Sequence, residues 1–483
     1  MSFDAIVVGA GPNGLAAAVT LARAGLAVQL IEGSDQLGGG ARTEELTLSG
    51  YRHDVCSAVH PQALASPFFQ AFGLRERIEL VIPEMSYANP FDNRPAGIAY
   101  HSLDRTVEGL GVDGRAWRNL LGPLLAESRA VSRFTMSQLL QVPRNPITTM
   151  RFGLRALEQG TAAWNLRFKD TVAPALLTGV STHVMGPLPS LAPSGGGLML
   201  AMQAHDRGWP IPVGGSQSII DAMAEDFRAH GGQIVTGQMV ETLDQLDKAT
   251  AVLLDLTPQA LLRIAGDRLP TGYRNALRRF RYGNAACKVD FALSGPVPWS
   301  DERVREAGTI HLGNTRDEMA FTEAEVKAGR HPERPYVLAS QPSTFDSTRA
   351  PAGKHTLWSY THVPRGSTVD MGDAVERQIE RFAPGFRDLV LARSVRTAAD
   401  LEAHNPNYIG GDFSAGAPDI WQMIKRPVVS PTPWATPMPD VFLASQSTPP
   451  GPAVHGLSGL YAAQLALSRR FGITKLPDLS PGR

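Results

Sequence analysis

Residues 3–32 read FDAIVVGAGPNGLAAAVTLARAGLAVQLIE, and this stretch decides the fold. The apolar, β-branched run at its start predicts a strand, and the glycine motif GAGPNG at 9–14 predicts a tight turn after it. An alanine-rich segment with helical spacing follows, and a second apolar strand ends at Glu32. A strand, a glycine turn, a helix and a second strand in this order form the βαβ unit that binds dinucleotides.

The residues of the glycine motif have mechanical roles in holding a dinucleotide. Gly9 permits the turn, Gly11 lets the backbone approach a pyrophosphate, and Gly14 lets the helix pack closely against the strand. Pro12 and Asn13 lie between these glycines, where the first amides of the helix and its partial positive charge attract phosphate. We therefore predict that all five residues bind the cofactor.

Glu32 follows the second strand, and its carboxylate can accept hydrogen bonds from the hydroxyls of an adenosine ribose. The same negative charge would repel a 2′-phosphate. A second match to the glycine motif, GLGVDG at 109–114, lacks a preceding buried strand because residues 101–108 are too polar. We interpret the second copy as accidental and the first as a nucleotide-binding site.

A second glycine-rich stretch, LGGGART at 37–43, follows the βαβ unit. With it the chain resembles the superfamily of amine oxidases, phytoene desaturases and Rab GDP-dissociation inhibitors, whose members place a Gly-Gly segment with Arg and Thr against the FAD phosphates. The resemblance selects FAD and implies that the following residues also bind it: Gly33, Gly39, Gly40, Arg42 and Thr43. Many members carry the arginine directly after the glycine pair, whereas two residues intervene before Arg42 here.

Further segments extend this resemblance over most of the chain and are most similar to phytoene-desaturase-type and phytoene-dehydrogenase-related oxidoreductases. The segment GYRHD at 50–54 is similar to an early strand of that subgroup, and PVGGS at 212–216 to the return of the chain into the FAD domain. A strand that begins at 231–234 leads to Val240, the position whose backbone contacts adenine in the family.

The segment 441–456, VFLASQSTPPGPAVHG, resembles the C-terminal flavin motif of the superfamily. The resemblance places Val454, His455 and Gly456 at a helix N-terminus that faces the flavin N1–C2=O edge and stabilises negative charge on the reduced ring. The cysteine that links flavin covalently in some amine oxidases is missing at this end, so we expect non-covalent FAD.

Three side chains are candidate catalytic groups. Lys288 lies in CKVDF at 287–291, which is similar to the amine-oxidase strand whose lysine holds a water at flavin N5. The alternative for Lys288 is a solvent-facing lysine on an edge strand, with Asp290 on the same face. His362 and His455 can act as acids or bases, and for each the alternative is a structural hydrogen bond.

Composition limits the partners of the chain. Lysine and arginine number 46, as do aspartate and glutamate, so no overall charge attracts nucleic acid. Cys56 and Cys287 are the cysteines and form no metal or disulfide pattern, and we predict no metal site. The N-terminus lacks the features of a signal peptide, and no stretch of about 20 uncharged apolar residues occurs. We expect a cytoplasmic protein that is soluble or peripheral.

The predicted fold class is α/β, with two interleaved domains. Residues 1–60, 212–287 and 425–483 would form a Rossmann-type FAD-binding domain with a parallel sheet. Residues 61–211 and 288–424 would form a substrate domain of mixed sheet and helices, and the cleft between the domains would hold a small-molecule substrate. The oligomeric state stays open.

Two segments of the second domain carry further expectations. Residues 145–163 form an amphipathic helical region with Arg151 and Arg155, for which the alternatives are a lid, a contact with a membrane surface, or a helix that covers a core. The triple glycine at 195–197 is interpreted as a hinge or loop beside the pocket.

The predicted function is that of an FAD-dependent oxidoreductase that removes a hydride from a largely apolar organic substrate through flavin N5. The resemblance ranks the oxidised bond as C–C, then C–N as in amine oxidases, then C–O. The alternatives are a non-catalytic binding protein like the GDP-dissociation inhibitors, against which the intact glycine motif argues, and an NAD-dependent dehydrogenase.

Overall fold

Two sheets organise the molecule in the computed structural model, which describes residues 3–482. The strands are β1 (Ala5–Val8), β2 (Val28–Ile31), β3 (Thr43–Glu44), β4 (His53–Asp54), β5 (Leu80–Val81), β6 (Met85–Asn89), β7 (Gly97–Tyr100), β8 (Ile211–Pro212), β9 (Gln233–Val235), β10 (Ala251–Leu254), β11 (Ala285–Leu293), β12 (Ala307–Leu312), β13 (Val337–Ser340), β14 (His355–Val363), β15 (Val390–Arg396) and β16 (Val441–Leu443).

The helices surround these sheets, and short 3₁₀ turns connect several of them. They are α1 (Pro12–Arg23), α2 (Pro67–Phe72), α3 (Leu74–Arg77), α4 (Leu103–Gly109), α5 (Gly114–Leu125), α6 (Ser128–Thr135), α7 (Pro146–Gln159), α8 (Val172–Ser181), α9 (Leu191–Asp206), α10 (Gln217–Ala229), α11 (Pro258–Ala265), α12 (Thr271–Arg278), α13 (Arg316–Lys327), α14 (Gly372–Phe382), α15 (Ala398–His404), α16 (Ile420–Ile424) and α17 (Leu457–Phe471). Within the described part of the chain, none of the helices combines the length and the apolar character that a bilayer crossing requires.

The first sheet is parallel and has the order β16-β10-β1-β2-β9. Its central strands are apolar on both faces because helices cover both: α1, α10 and α17 pack on one side and α11 on the other. Close packing of α1 against α17 depends on Gly459, where a Cβ would lie 1.8 Å from the carbonyl oxygen of Asn13. The predicted Rossmann-type architecture is confirmed.

The second sheet is mixed, with the order β15-β11-β14-β13-β12-β6-β7. Only the β12–β6 pair is parallel among its described strands. One face carries Val289 and Phe291 and packs on α14, while the other face points toward a cavity. The predicted domain limit between residues 287 and 288 falls inside β11, which belongs wholly to this sheet.

Helices α4 to α9 form a layer of their own beside the second sheet. The triple glycine at 195–197 lies within α9, so its interpretation as a hinge or loop is wrong. A Cβ at Gly197 would lie 2.1 Å from the Ser181 Oγ atom, and one at Gly196 would lie 2.5 Å from Val184 Cγ2. These glycines let α9 approach α8 and the turn after it, and tertiary packing holds the segment helical despite its low propensity.

A buried ionic cluster joins segments that are distant in the sequence. Arg349 forms an ion pair with Asp54, and both side chains are fully buried. The Asp54 Oδ1 atom also accepts hydrogen bonds from the Thr43 hydroxyl at 2.7 Å and from the Ser216 amide at 2.8 Å. Asp346, 3.3 Å from Arg349 Nε, accepts the amide of residue 214 at 2.7 Å. The cluster ties β4 to the segment that leads into α10.

Candidate active site

A cavity of about 560 Å³ begins at the carboxyl ends of the parallel strands and extends to the second sheet. Val8, Glu32, Asp255 and Ser445 follow or end four neighbouring strands of the parallel sheet, and all four line the cavity. Ligands of open α/β sheets bind at this edge, because the strands end there and the helix N-termini begin. The position fits a nucleotide site.

The glycine motif forms one wall of this end of the cavity. Gly9 has a φ of +95°, a conformation that glycine adopts without strain. A Cβ at Gly14 would lie 1.9 Å from the Gly9 carbonyl oxygen, so Gly14 serves close packing and does not itself line the cavity. Gly11, Pro12 and Asn13 do line it, and the buried Asn13 Oδ1 atom has no partner among the described residues.

Glu32 holds the glycine motif to the end of β2. Its Oε2 atom accepts the Ala10 amide at 2.7 Å, and Oε1 accepts the Ser34 amide at 2.9 Å. Each carboxylate oxygen can accept more than one hydrogen bond, so Glu32 retains capacity for ribose hydroxyls. Gly33 and Val240 line the cavity beside it, where the resemblance predicts adenine.

The second glycine stretch also borders the cavity, through Gly39, Gly40 and Arg42. Arg42 is held in place because its guanidinium donates to the Gly39 carbonyl at 3.2 Å and to the Ser34 hydroxyl at 3.0 Å. Thr43 lies outside the lining, and its hydroxyl belongs to the Asp54 cluster. The cationic Arg42 and the glycine wall at the start of α1 together fit a dinucleotide pyrophosphate.

Asp255 follows β10 directly and belongs to none of the motifs described above. Its Oδ2 atom accepts the Gly14 amide at 2.9 Å, so a carboxyl group occupies the start of α1, where a phosphate would bind. Burial raises the pKa of Asp255 to about 7, and the nearby Glu32 carboxylate adds to the rise. The Asn407 side chain links this position to the loop after α15 by donating to the Asp255 carbonyl at 3.4 Å.

We expect the Asp255 carboxyl to make the affinity for a dinucleotide depend on pH. Below its raised pKa the carboxyl is neutral, and above about 7 it is negative and repels a pyrophosphate. We expect FAD to bind about tenfold more weakly at about pH 8.5 than at about pH 6, and Asp255→Asn to remove this dependence. Fluorescence titration of the FAD-free protein measures both.

The raised pKa of Asp255 also affects the free energy of unfolding, which falls as the pH rises, as the cofactor affinity does. Because the folded pKa lies above that of an unfolded carboxyl, the contribution to stability is present at low pH and is lost as the pH rises through about 7. Asp247→Asn, at an exposed position outside the cavity, is the control. An unchanged pH dependence in Asp255→Asn would contradict the assignment.

The C-terminal motif reaches the cavity through Val454, whereas His455 and Gly456 lie behind it. The Leu457 amide donates to His455 Nδ1 at 3.0 Å, and His455 Nε2 donates to the Gly451 carbonyl at 3.1 Å. Burial lowers the pKa of His455 to about 4. With both ring nitrogens bonded to backbone, the geometry favours the structural alternative for His455.

Lys288 lies on β11, between β14 and β15, and is almost completely buried. The alternative of a solvent-facing lysine on an edge strand is therefore wrong. Its ammonium group pairs with Asp290 and lies 5.0 Å from the ring centroid of Trp358, which lines the cavity. Burial lowers the pKa of Lys288 and raises that of Asp290 to about 6. Lys288 itself is outside the lining, and its role in catalysis stays a prediction.

His362 is also buried and lies outside the lining. Its Nδ1 atom is 2.5 Å from Glu323 Oε1. A histidine that sequence reasoning did not select, His183, lines the cavity, and its Nε2 atom lies 2.8 Å from His311 Nε2. Burial lowers the pKa of His183 to about 3, so its ring is neutral. His183 belongs to no sequence motif, and only the folded structure shows that it lines the cavity.

The part of the cavity that faces the second sheet is apolar. Its walls come from α9, from the sheet and from the loops beside them, and include Met199, Leu200, Trp209, Leu338, Trp358, Tyr360 and Phe413. Two buried polar atoms in this wall, Trp358 Nε1 and Thr309 Oγ1, have no hydrogen-bond partner among residues 3–482. Acidic side chains line the cavity only at its nucleotide end, as Glu32 and Asp255.

Cys56 lines the cavity beside Gly40 and the hydroxyl of Tyr408. Burial raises the pKa of the Cys56 thiol to about 11. The thiol is therefore protonated at neutral pH and is a poor nucleophile. A parallel sheet with a glycine-lined nucleotide site, opening into an apolar chamber on a second sheet, is the arrangement expected of a dinucleotide-binding enzyme.

Comparison with known proteins agrees with this class. A family model described as an NAD(P)-binding Rossmann-like domain matches residues 7–72. The rat (Rattus norvegicus) pyridine nucleotide-disulfide oxidoreductase domain-containing protein 2 is 24% identical, over 96% of this chain and 93% of its own. A phytoene dehydrogenase of Streptomyces griseus is 26% identical, over 81% and 78%. The structure of cyclohexylamine oxidase from Brevibacterium oxydans IH-35A has a TM-score of 0.58 at 15% identity, over 98% of this chain and 99% of that one.

The resemblance predicted from the sequence is thereby confirmed. The chain is similar in sequence to phytoene dehydrogenases over most of its length, and it shares its fold with cyclohexylamine oxidase.

Proposed function

We propose that the chain binds FAD non-covalently in this cavity and dehydrogenates an uncharged, largely apolar organic substrate. The observation that carries the proposal is the cavity itself, which joins a glycine-lined nucleotide site to an apolar chamber. FAD supplies the acceptor for the hydride, so the protein needs mainly to bind, orient and exclude water. The protonated Cys56 thiol supports a non-covalent cofactor.

The chamber walls support an uncharged substrate over a cationic amine. An ammonium group buried among Leu338, Tyr360 and Phe413 would lose its hydration without gaining a carboxylate partner, because the acidic side chains lie at the nucleotide end. An apolar substrate is instead bound favourably by these walls, because its surface is removed from water. This charge distribution favours dehydrogenation of an apolar substrate over amine oxidation.

Two donors can orient one polar group of an otherwise apolar substrate. Trp358 Nε1–H and the Thr309 hydroxyl are buried in the chamber wall and unpaired within the described chain. The strand register puts both side chains on one face of the second sheet. Trp358 of β14 is opposite Ser340 of β13, and Ile310 of β12 is opposite Ala339, so Thr309 is the β12 residue aligned with Ser340. A hydroxyl or carbonyl oxygen of the substrate would satisfy either donor.

The test begins with the purified protein. We expect a yellow protein with absorbance at about 450 nm, and heat denaturation should release all of the flavin into solution. Anaerobic addition of an uncharged isoprenoid polyene should bleach this absorbance, whereas the diamine putrescine should not. Bleaching by putrescine alone would favour the amine-oxidase alternative. Colourless protein that does not bind added FAD would contradict the proposal.

A further inference from the structure

A stripe of exposed apolar side chains runs along α7. Ile147, Met150, Leu154 and Leu157 are between 50% and 68% exposed, and their spacing of three or four residues puts them on one side of the helix. Phe152, on the other side, is buried in the core of the helical layer. A surface helix ordinarily turns its apolar face inward. This stripe instead faces outward, and no part of residues 3–482 covers it.

The patch continues beyond both ends of the helix. Leu140 and Val142 precede it and are 47% and 91% exposed. Leu166 is 83% exposed and lies near the end of α7, because its neighbour Arg167 forms an ion pair with Glu158 of that helix at 2.5 Å. A contiguous exposed patch of this kind marks an interaction surface. We call these seven apolar residues the α7 patch.

Arginines border the α7 patch. Arg144 precedes the helix and Arg151 lies beside the stripe. Arg129 and Arg133 line a recess together with Glu127 and Asn145, so that the recess carries two cations and one anion. In the described part of the chain no acidic side chain pairs with any of these four arginines. The formal charge of the whole chain is balanced, so the excess of positive charge beside the α7 patch is local. Its charge is complementary to an anionic surface.

The α7 patch lies on the outer surface of the helical layer whose inner side forms a wall of the proposed substrate chamber. Phe152 of α7 packs within about 4.0 Å of the position of a Gly195 Cβ on α9. One turn further along α9, Met199 and Leu200 line the cavity. The helical layer thus presents an apolar stripe to the outside and an apolar wall to the cavity.

We propose that the α7 patch docks on the surface of an anionic lipid bilayer. Apolar side chains with arginines beside them are the features of a helix that lies in the plane of a membrane interface, with the apolar side in the acyl region and the cations at the headgroups. Docking in this orientation would place the chamber next to a source of apolar substrate. That consequence rests on the proposed function, whereas the docking itself does not.

Flotation of the FAD-loaded protein with lipid vesicles tests the proposal. We expect binding to phosphatidylcholine vesicles that contain phosphatidylglycerol to be about tenfold stronger than to phosphatidylcholine alone, and to weaken with added salt. The triple variant Ile147→Ser, Met150→Ser, Leu154→Ser should lower binding about tenfold. Arg144→Gln with Arg151→Gln should remove the preference for the anionic lipid.

The control variant carries the same number of exposed apolar substitutions elsewhere: Val112→Ser, Phe321→Ser and Trp421→Ser, at positions that are 62% to 72% exposed. It should float like the unchanged protein. Absence of flotation, or equal flotation of the stripe variant, would overturn the proposal. Loss of a dimer in the stripe variant without any lipid binding would assign the patch to self-association instead. Flavin bleaching by substrate in solution is measured separately, so failure of the proposed function is distinguishable.

Discussion

Gly11→Val is expected to abolish FAD binding and leave a folded, colourless protein. A Cβ at Gly11 would lie 2.9 Å from Asp255 Oδ2, and the two methyl groups of valine would extend into the space beside the start of α1. The side chain would occupy the position where the backbone approaches a pyrophosphate. We expect binding to weaken at least about 1000-fold, or by about 4 kcal/mol, so that the purified variant carries no flavin. Flavin absorbance per protein and titration with added FAD measure the effect.

The accidental glycine motif supplies a matched control for this substitution. Gly109 ends α4, lies outside the cavity lining, and has no atom within 4 Å of the position of a Cβ. Gly109→Val should therefore leave the flavin content unchanged. Circular dichroism and thermal unfolding verify that both variants are folded. A yellow Gly11→Val protein, or equal loss of flavin in both variants, would show that the first motif does not hold the cofactor.

The parallel sheet could be predicted because its signals are local. The strand at 5–8, the glycine turn and the helix after it are adjacent in the sequence, and short-range sterics decide each of them. The strands at 251–254 and 441–443 are also apolar runs. Their order, with β10 next to β1 and β16 next to β10, could not be predicted, because strand order depends on contacts between distant segments.

The chamber could not be predicted, because its wall depends on register between strands that are far apart in sequence. Thr309, Leu338 and Trp358 each occupy an ordinary strand position, and only the pairing of three strands puts them on one face. The burial of Lys288 was missed for the same reason, and His183 was missed because its place depends on how the turn after α8 packs against the second sheet. The triple glycine at 195–197 was predicted wrongly rather than missed. Its low helix propensity suggested a loop, whereas packing against α8 holds it in a helix.

The roles of motif residues were harder to predict than their locations. Val454 of the predicted flavin motif lines the cavity, and its contact with a flavin stays a prediction. The bonds of His455 to Leu457 and Gly451 depend on the detailed path of the turn. Asp255 shows the same limit. Its sequence position marks the end of a strand, whereas its raised pKa results from burial beside Glu32.

Arg349→Met is expected to be the most destabilising of the substitutions considered. Arg349 and Asp54 are both fully buried, and removal of the guanidinium leaves the carboxylate without its cation. Loss of one partner of a buried ion pair costs about 3–5 kcal/mol, because the remaining charge stays desolvated. Asp54 also binds Thr43 and Ser216, so we expect the FAD affinity to fall as well. Urea unfolding measures the stability, and flavin titration measures the affinity.

A surface pair and a double variant separate this mechanism from a general effect of losing an arginine. Arg105 pairs with Glu84 at positions that are 46% and 67% exposed, so Arg105→Met should cost about 0–1 kcal/mol. Arg349→Met combined with Asp54→Asn removes both charges and should recover part of the lost stability, because an amide is less costly to bury than an unpaired carboxylate. If the double variant is no more stable than Arg349→Met, the cost arises from lost packing of the long side chain rather than from the uncompensated charge.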